Sequence, residues 1–165
     1  MGDGFHLPRA KRYRRGEYPP EGCYSDSFDY DALCRVLLDP LGPNGDRRYQ
    51  HAISDYRSDT VLSEPVRMAP ADAVLLFDGV FLLRRELIDR WELSIFLSAA
   101  VERKLERARI RDQALFGSTA EVDRRYRDRY LPAQQLYYGV ARPTDHANIV
   151  DNDDPQQPRW EAQTI

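Results

Sequence analysis

The chain has 165 residues, 42% hydrophobic, 31% charged and 11% aromatic, with a formal net charge of −3. That length fits one domain with a real core, and the aromatic content excludes a collagenous, mucin-like or largely disordered chain. The longest apolar run, Ala73-Val-Leu-Leu-Phe77, is far too short to span a bilayer, and the acidic balance disfavours non-specific binding to nucleic acid. Cys23 and Cys34 form neither a disulfide framework nor a metal-ligand spacing, and no basic-then-apolar leader opens the sequence. A cytoplasmic protein is therefore expected. Of 24 basic residues only Lys11 and Lys104 are Lys.

The first 25 residues are basic and punctuated by Gly and Pro, with Arg9, Lys11, Arg12, Arg14 and Arg15 followed by Pro19-Pro20, which reads as a loop. Asp29 to Leu38 is predicted helical, capped by Ser27 or Asp29, with Leu33, Val36 and Leu37 on one stripe. Arg48 to Tyr56 and Thr60 to Met68 alternate loosely about Arg57-Ser58-Asp59 and predict a small hairpin, with Pro65 confining the second strand to an edge. Ala73 to Phe77 is continuously apolar, as a strand of a parallel sheet would be, and ends in Asp78-Gly79.

Glu86 to Arg90 predicts a short helical stretch, and Leu93 to Leu97 a second buried strand. Val101 to Asp112 predicts a helix with Val101, Leu105 and Ala108 inward. Ala120 to Tyr138 predicts a longer one, kinked or broken at Pro132. His146 to Val150 predicts a third strand before the turn-rich Asp151 to Pro155. Strands alternating with helices indicate an α/β fold with a parallel sheet.

Four constellations bear on chemistry. Asp3-Gly4-Phe5-His6 places an acid beside glycine, able to accept a hydroxyl proton or simply to make a turn. Asp78 lies where an apolar strand ends, the place at which α/β folds bind ligands and an acid can orient magnesium. Arg103, Arg107 and Arg111 recur every four residues and could clamp a polyphosphate, or form a solvated face laced with Glu102 and Glu106. Tyr24, Asp26, Tyr49, Asp55 and Arg57 could hold a sugar and a base, or decorate a hairpin.

Taken in order, Asp3-Gly-Phe-His6, Tyr24-Ser-Asp-Ser-Phe-Asp-Tyr30, Ser54-Asp-Tyr-Arg57, Phe77-Asp-Gly-Val-Phe81 and Arg107-Ala-Arg-Ile-Arg-Asp112 resemble the uridine kinase family of P-loop kinases, a group that includes phosphoribulokinase. The resemblance runs from Asp3 to about Asp153. It implies a single kinase-like domain over residues 1–165, a three-layer fold on a parallel sheet with a small β-hairpin in the substrate region. It also implies transfer of the ATP γ-phosphate to a hydroxyl of a nucleoside or related small molecule, with Mg2+. By the same resemblance Asp3 is the acid that takes the hydroxyl proton, Asp26 holds ribose hydroxyls, Tyr49 faces the base and Asp78 organises magnesium. Arg107 and Arg111 reach the phosphates, while His6, Asp55, Arg57 and Tyr126 meet the acceptor. Asp55 replaces a His that the family often carries, and Arg125 stands where the family has Gln before Tyr126.

One departure is read directly from the residues. A P-loop needs Gly-x-x-x-x-Gly-Lys-Ser/Thr, and neither lysine follows a glycine, since Lys11 follows Ala10 and Lys104 follows Arg103. Measured against the family, the first strand, the P-loop, its helix and the second strand are missing. Without them the Ala73–Phe77 and Leu93–Leu97 strands are expected to have open inner edges, which close on each other or are covered by another segment or chain. A marginal, aggregation-prone monomer or a homo-oligomer is therefore expected. So is a phosphotransferase inactive as these 165 residues, with a non-catalytic pseudokinase that binds a nucleoside-like ligand as the alternative. Neither nucleic acid nor membrane is an expected partner.

Overall fold

The computed structural model describes residues 2–161. They form a mixed α/β protein whose contacts fall into two compact units, Met1–Glu17 with Glu21–Leu82, and Tyr18–Pro20 with Leu83–Ile165. Each unit is described by itself.

The first unit opens on a 3-10 turn, Gly2–Phe5, followed by α1 (Arg9–Arg12). Next comes α2 (Pro20–Asp26), so the expectation of a loop over the first 25 residues is corrected. Proline starts the second of these helices at no hydrogen-bond cost, because the first N–H of a helix has no partner anyway. The helix predicted from Asp29 runs as α3 (Tyr30–Leu33), a π-helical turn over Cys34–Leu38 and α4 (Asp39–Leu41). Asp29 is its cap, accepting from the Ala32 N–H at 2.9 Å. The π turn lets both Leu37 and Leu38 reach the core beside Leu33, and leaves Val36 half-buried.

The hairpin is present as two nested antiparallel ladders. β1 (Arg48–Tyr49) pairs with β4 (Arg67–Met68), and β2 (Ser54–Asp55) with β3 (Thr60–Val61). Phe5, Leu33, Leu37 and Phe81 anchor the core, with Tyr24 edge-on to Phe81 at 5.3 Å. Ala73–Phe77 corrects the prediction of a parallel strand. No ladder includes it among the described residues, and Val74 and Leu76 are 93% and 91% exposed. Apolar content suits a buried strand, but a strand exists only where a neighbour supplies hydrogen bonds.

The second unit carries β5 (Ile95–Ser98), α5 (Val101–Phe116), α6 (Thr119–Arg125), a π-helical turn over Tyr126–Tyr130 and α7 (Leu131–Ala141). It closes with β6 (Asn148–Asp151) and β7 (Arg159–Glu161). β5 and β6 are the expected parallel pair, registered from Ile95 opposite Asn148 to Ser98 opposite Asp151. β7, which periodicity did not reveal, adds antiparallel to β6. Leu105 and Ala108 are buried as predicted, whereas Val101, at the first position of α5, is 38% exposed. The π turn immediately precedes Pro132, whose missing N–H breaks the regular hydrogen-bond ladder there. Among the described residues no helix is long and apolar enough to cross a membrane.

Candidate functional site

In the first unit the segment Asp3–His6 is held from two sides. Phe5 accepts from the Asp29 N–H at 2.8 Å, and the Leu7 N–H donates to Ser27 O at 3.0 Å. On the other side Gly4 O accepts from the Ile53 N–H at 2.8 Å, and the Ser54 hydroxyl donates to His6 O at 2.9 Å. Glycine is required at position 4 because a Cβ there would lie 2.6 Å from that of Ala52. Phe5 is buried between these attachments, while the Asp3 side chain stays exposed. The backbone thus presents one carboxylate to solvent from a fixed position.

His6 is packed between rings, edge-on to Phe28 at 4.4 Å and stacked on Tyr56 at 5.1 Å. Burial, then the nearby Arg12 guanidinium, pull its pKa down to about 4 against a weaker opposing hydrogen bond toward the Asp3 backbone. The ring is therefore neutral at pH 7, and its buried Nδ1 has no hydrogen-bond partner. A neutral imidazole nitrogen is either a donor or an acceptor, and a hydroxyl can satisfy both.

Asp26 is buried and closed by the basic segment. Arg14 donates to both carboxylate oxygens at 3.0 and 2.6 Å, and Arg15 donates at 2.8 Å. The Arg14 hydrogen bond, with Arg15 and against the burial, holds the carboxyl below its usual range. Three donors leave little acceptor capacity for a sugar hydroxyl while both guanidinium groups stay in place. Sequence reasoning treated Arg14 and Arg15 as part of a basic loop; the signal available was a run of guanidinium groups facing few acids.

Asp55 serves its own turn, accepting from the Arg57 N–H at 2.9 Å and the Ser58 hydroxyl at 2.8 Å, which lower its pKa. Arg57 is exposed, and its guanidinium charge is favoured first by Tyr56 and more weakly by Asp55 and Asp3. Tyr49 lies half-buried on β1, and Asp78 is exposed where the apolar segment ends. Magnesium demands several oxygen ligands in octahedral array. No group of three or more His, Cys, Asp or Glu among the described residues could hold a metal ion, so Asp78 alone does not make such a site. No Gly-Lys pair offers a nucleotide phosphate a P-loop either.

In the second unit the arginine stripe of α5 is engaged residue by residue. Arg103 pairs with Glu106 at 2.9 Å. Arg107 donates to the Asn152 and Asp153 carbonyls, tying α5 to the chain after β6. Arg111 grips Asp112 with two hydrogen bonds of 2.7 and 2.9 Å and donates to the Tyr126 hydroxyl at 2.8 Å. Tyr126 in turn donates to Asp112 at 2.9 Å. Burial, with the nearby Asp112, pushes the Tyr126 phenol up, outweighing Arg111. Sequence spacing placed Arg107 and Arg111 on one face but not this Arg111–Asp112–Tyr126 network. Arg125 pairs with Glu121 at 2.7 Å and stacks over Phe116.

The unit containing Asp3 therefore brings together Asp3, His6 and the Asp55–Arg57 turn, with Asp26 sealed by Arg14 and Arg15. Comparison with solved structures finds the same fold in a protein described as a possible uridine kinase from Bacillus stearothermophilus, at a TM-score of 0.64 and 20% identity. The likeness covers 89% of this chain and 67% of that one. No family model and no curated protein matches the chain.

Proposed function

We propose that these residues form the acceptor-binding part of a uridine-kinase-like phosphotransferase, whose acceptor is a nucleoside or a related small molecule with a free hydroxyl. The observation that carries this reading is the pinned Asp3–His6 segment, with an exposed carboxylate three residues from a buried imidazole nitrogen that lacks a partner. The fold shared with a possible uridine kinase supports it.

In this reading an acceptor hydroxyl meets Asp3, which takes its proton as the oxygen attacks. His6 stays neutral, offers Nδ1 to a second hydroxyl and presents an aromatic face backed by Tyr56 and Phe28. Asp26 receives a sugar hydroxyl only when Arg14 and Arg15 give way. Arg107 and Arg111 are the family's candidates for phosphate contact, which would require each to leave its present partners. ATP supplies the transferred phosphoryl group and Mg2+ neutralises it when both are bound. The residues present cradle neither by themselves, so no step is routed through them.

The test is a phosphoryl-transfer assay of the 165-residue protein with ATP, magnesium and a panel of nucleosides. No turnover is expected. Turnover that disappears in Asp3→Asn would show that these residues complete a kinase unaided and would overturn the proposal of an acceptor part alone.

A further inference from the structure

Two features of the chain answer each other. β5 carries a ladder on one side only, because it stands at the end of the order β5-β6-β7. Along it Leu93, Ile95 and Leu97, two residues apart and so on one face, are 69%, 49% and 59% exposed. Natural edge strands are normally blunted by a charge, a proline or a bulge, and Leu93–Leu97 has no charge and no proline. Ala73–Phe77 is the complementary feature, five apolar residues outside every ladder, with Val74 and Leu76 almost wholly exposed. It too has neither charge nor proline.

We infer that two copies of this chain associate by strand addition, Ala73–Phe77 of one copy pairing along the open edge of β5 in the other. A second copy is the occupant that the chain itself specifies. The two segments have equal length, neither brings a charge opposite the other, and every molecule carries both. Pairing satisfies backbone groups on both segments and withdraws Val74 and Leu76 from water. Each copy gives one strand and receives one, so the contact closes as a twofold pair. The inference is independent of the phosphotransferase reading, and a failure of nucleoside binding leaves it untouched.

The experiment is a light-scattering mass measurement on the full 165-residue chain at tens of micromolar, joined to amide hydrogen exchange. The expected mass is twice 19.2 kDa. Leu76→Lys, at a position already 91% exposed and so harmless to the fold, returns the mass to 19.2 kDa with unchanged circular dichroism. Leu97→Lys on the receiving edge does the same. Amides of 73–77 exchange about tenfold more slowly in concentrated than in dilute samples, as an equilibrium held by one bonded ladder requires. A 19.2 kDa mass for the unsubstituted chain, a dimer that survives both substitutions, or exchange at 73–77 that ignores concentration overturns the inference.

Discussion

A methyl group at position 4 would meet the Ala52 Cβ at 2.6 Å and the His51 carbonyl at 3.1 Å, and neither neighbour is the end of a flexible side chain. Gly4→Ala should therefore push the Asp3–His6 segment off its seat and cost about 1–3 kcal/mol, read as a lower urea midpoint. His6 gives a pH dependence with a definite sign. The unfolded ring takes up a proton below about pH 6.5, while the folded ring resists until about pH 4. Stability should fall as the pH drops through that window, by on the order of 3 kcal/mol in total. His6→Gln should remove that slope in unfolding curves between pH 7 and pH 4.5. Asp26 acts lower on the scale: its depressed carboxyl stabilises the fold above the ordinary carboxylate range and loses that effect only on further acidification. The residue roles were partly legible. The Asp-Gly-Phe-His motif marks a close backbone approach, but no pattern in the sequence reveals that Arg14 and Arg15 close over Asp26.

Helix punctuation was the most legible layer among the elements. Asp29 caps the helix predicted to start there, and α5 ends at Gly117, whose φ of +86° only glycine adopts readily. Ser118 then caps α6 by accepting from the Glu121 N–H at 3.1 Å, a serine with Glu three residues on. Ser118→Ala should cost about 1 kcal/mol, measured as a shift in thermal midpoint with an unaltered helical spectrum. The hairpin and the β5–β6 parallel pair also followed from alternation and apolar runs. Ala73–Phe77 did not, because periodicity reports what a segment could bury and not whether a neighbour is there to pair with it. β7 was missed for the converse reason: Arg159-Trp-Glu161 has no run to read and is a strand only because β6 supplies the ladder.

At the scale of the whole molecule, the chain has a fold shared with a possible uridine kinase, and its sequence has no Gly-Lys phosphate cradle. Strand and helix alternation made the α/β class legible, and the order of short motifs pointed to the family, although at 20% identity the likeness speaks for the fold alone. The arginine stripe of α5 shows where spacing stops being informative. Its residues share a face as predicted, yet Arg103, Arg107 and Arg111 each find partners already within their own unit. The account's central claim is that acceptor recognition resides in these residues without nucleotide recognition. Isothermal titration of the 165-residue protein with a ribonucleoside panel and separately with ATP tests it directly. The account predicts heat with at least one nucleoside, affinity weakened about tenfold in Asp3→Ala through loss of one charged hydrogen bond, and no heat with ATP. Binding of ATP with every nucleoside silent would contradict it.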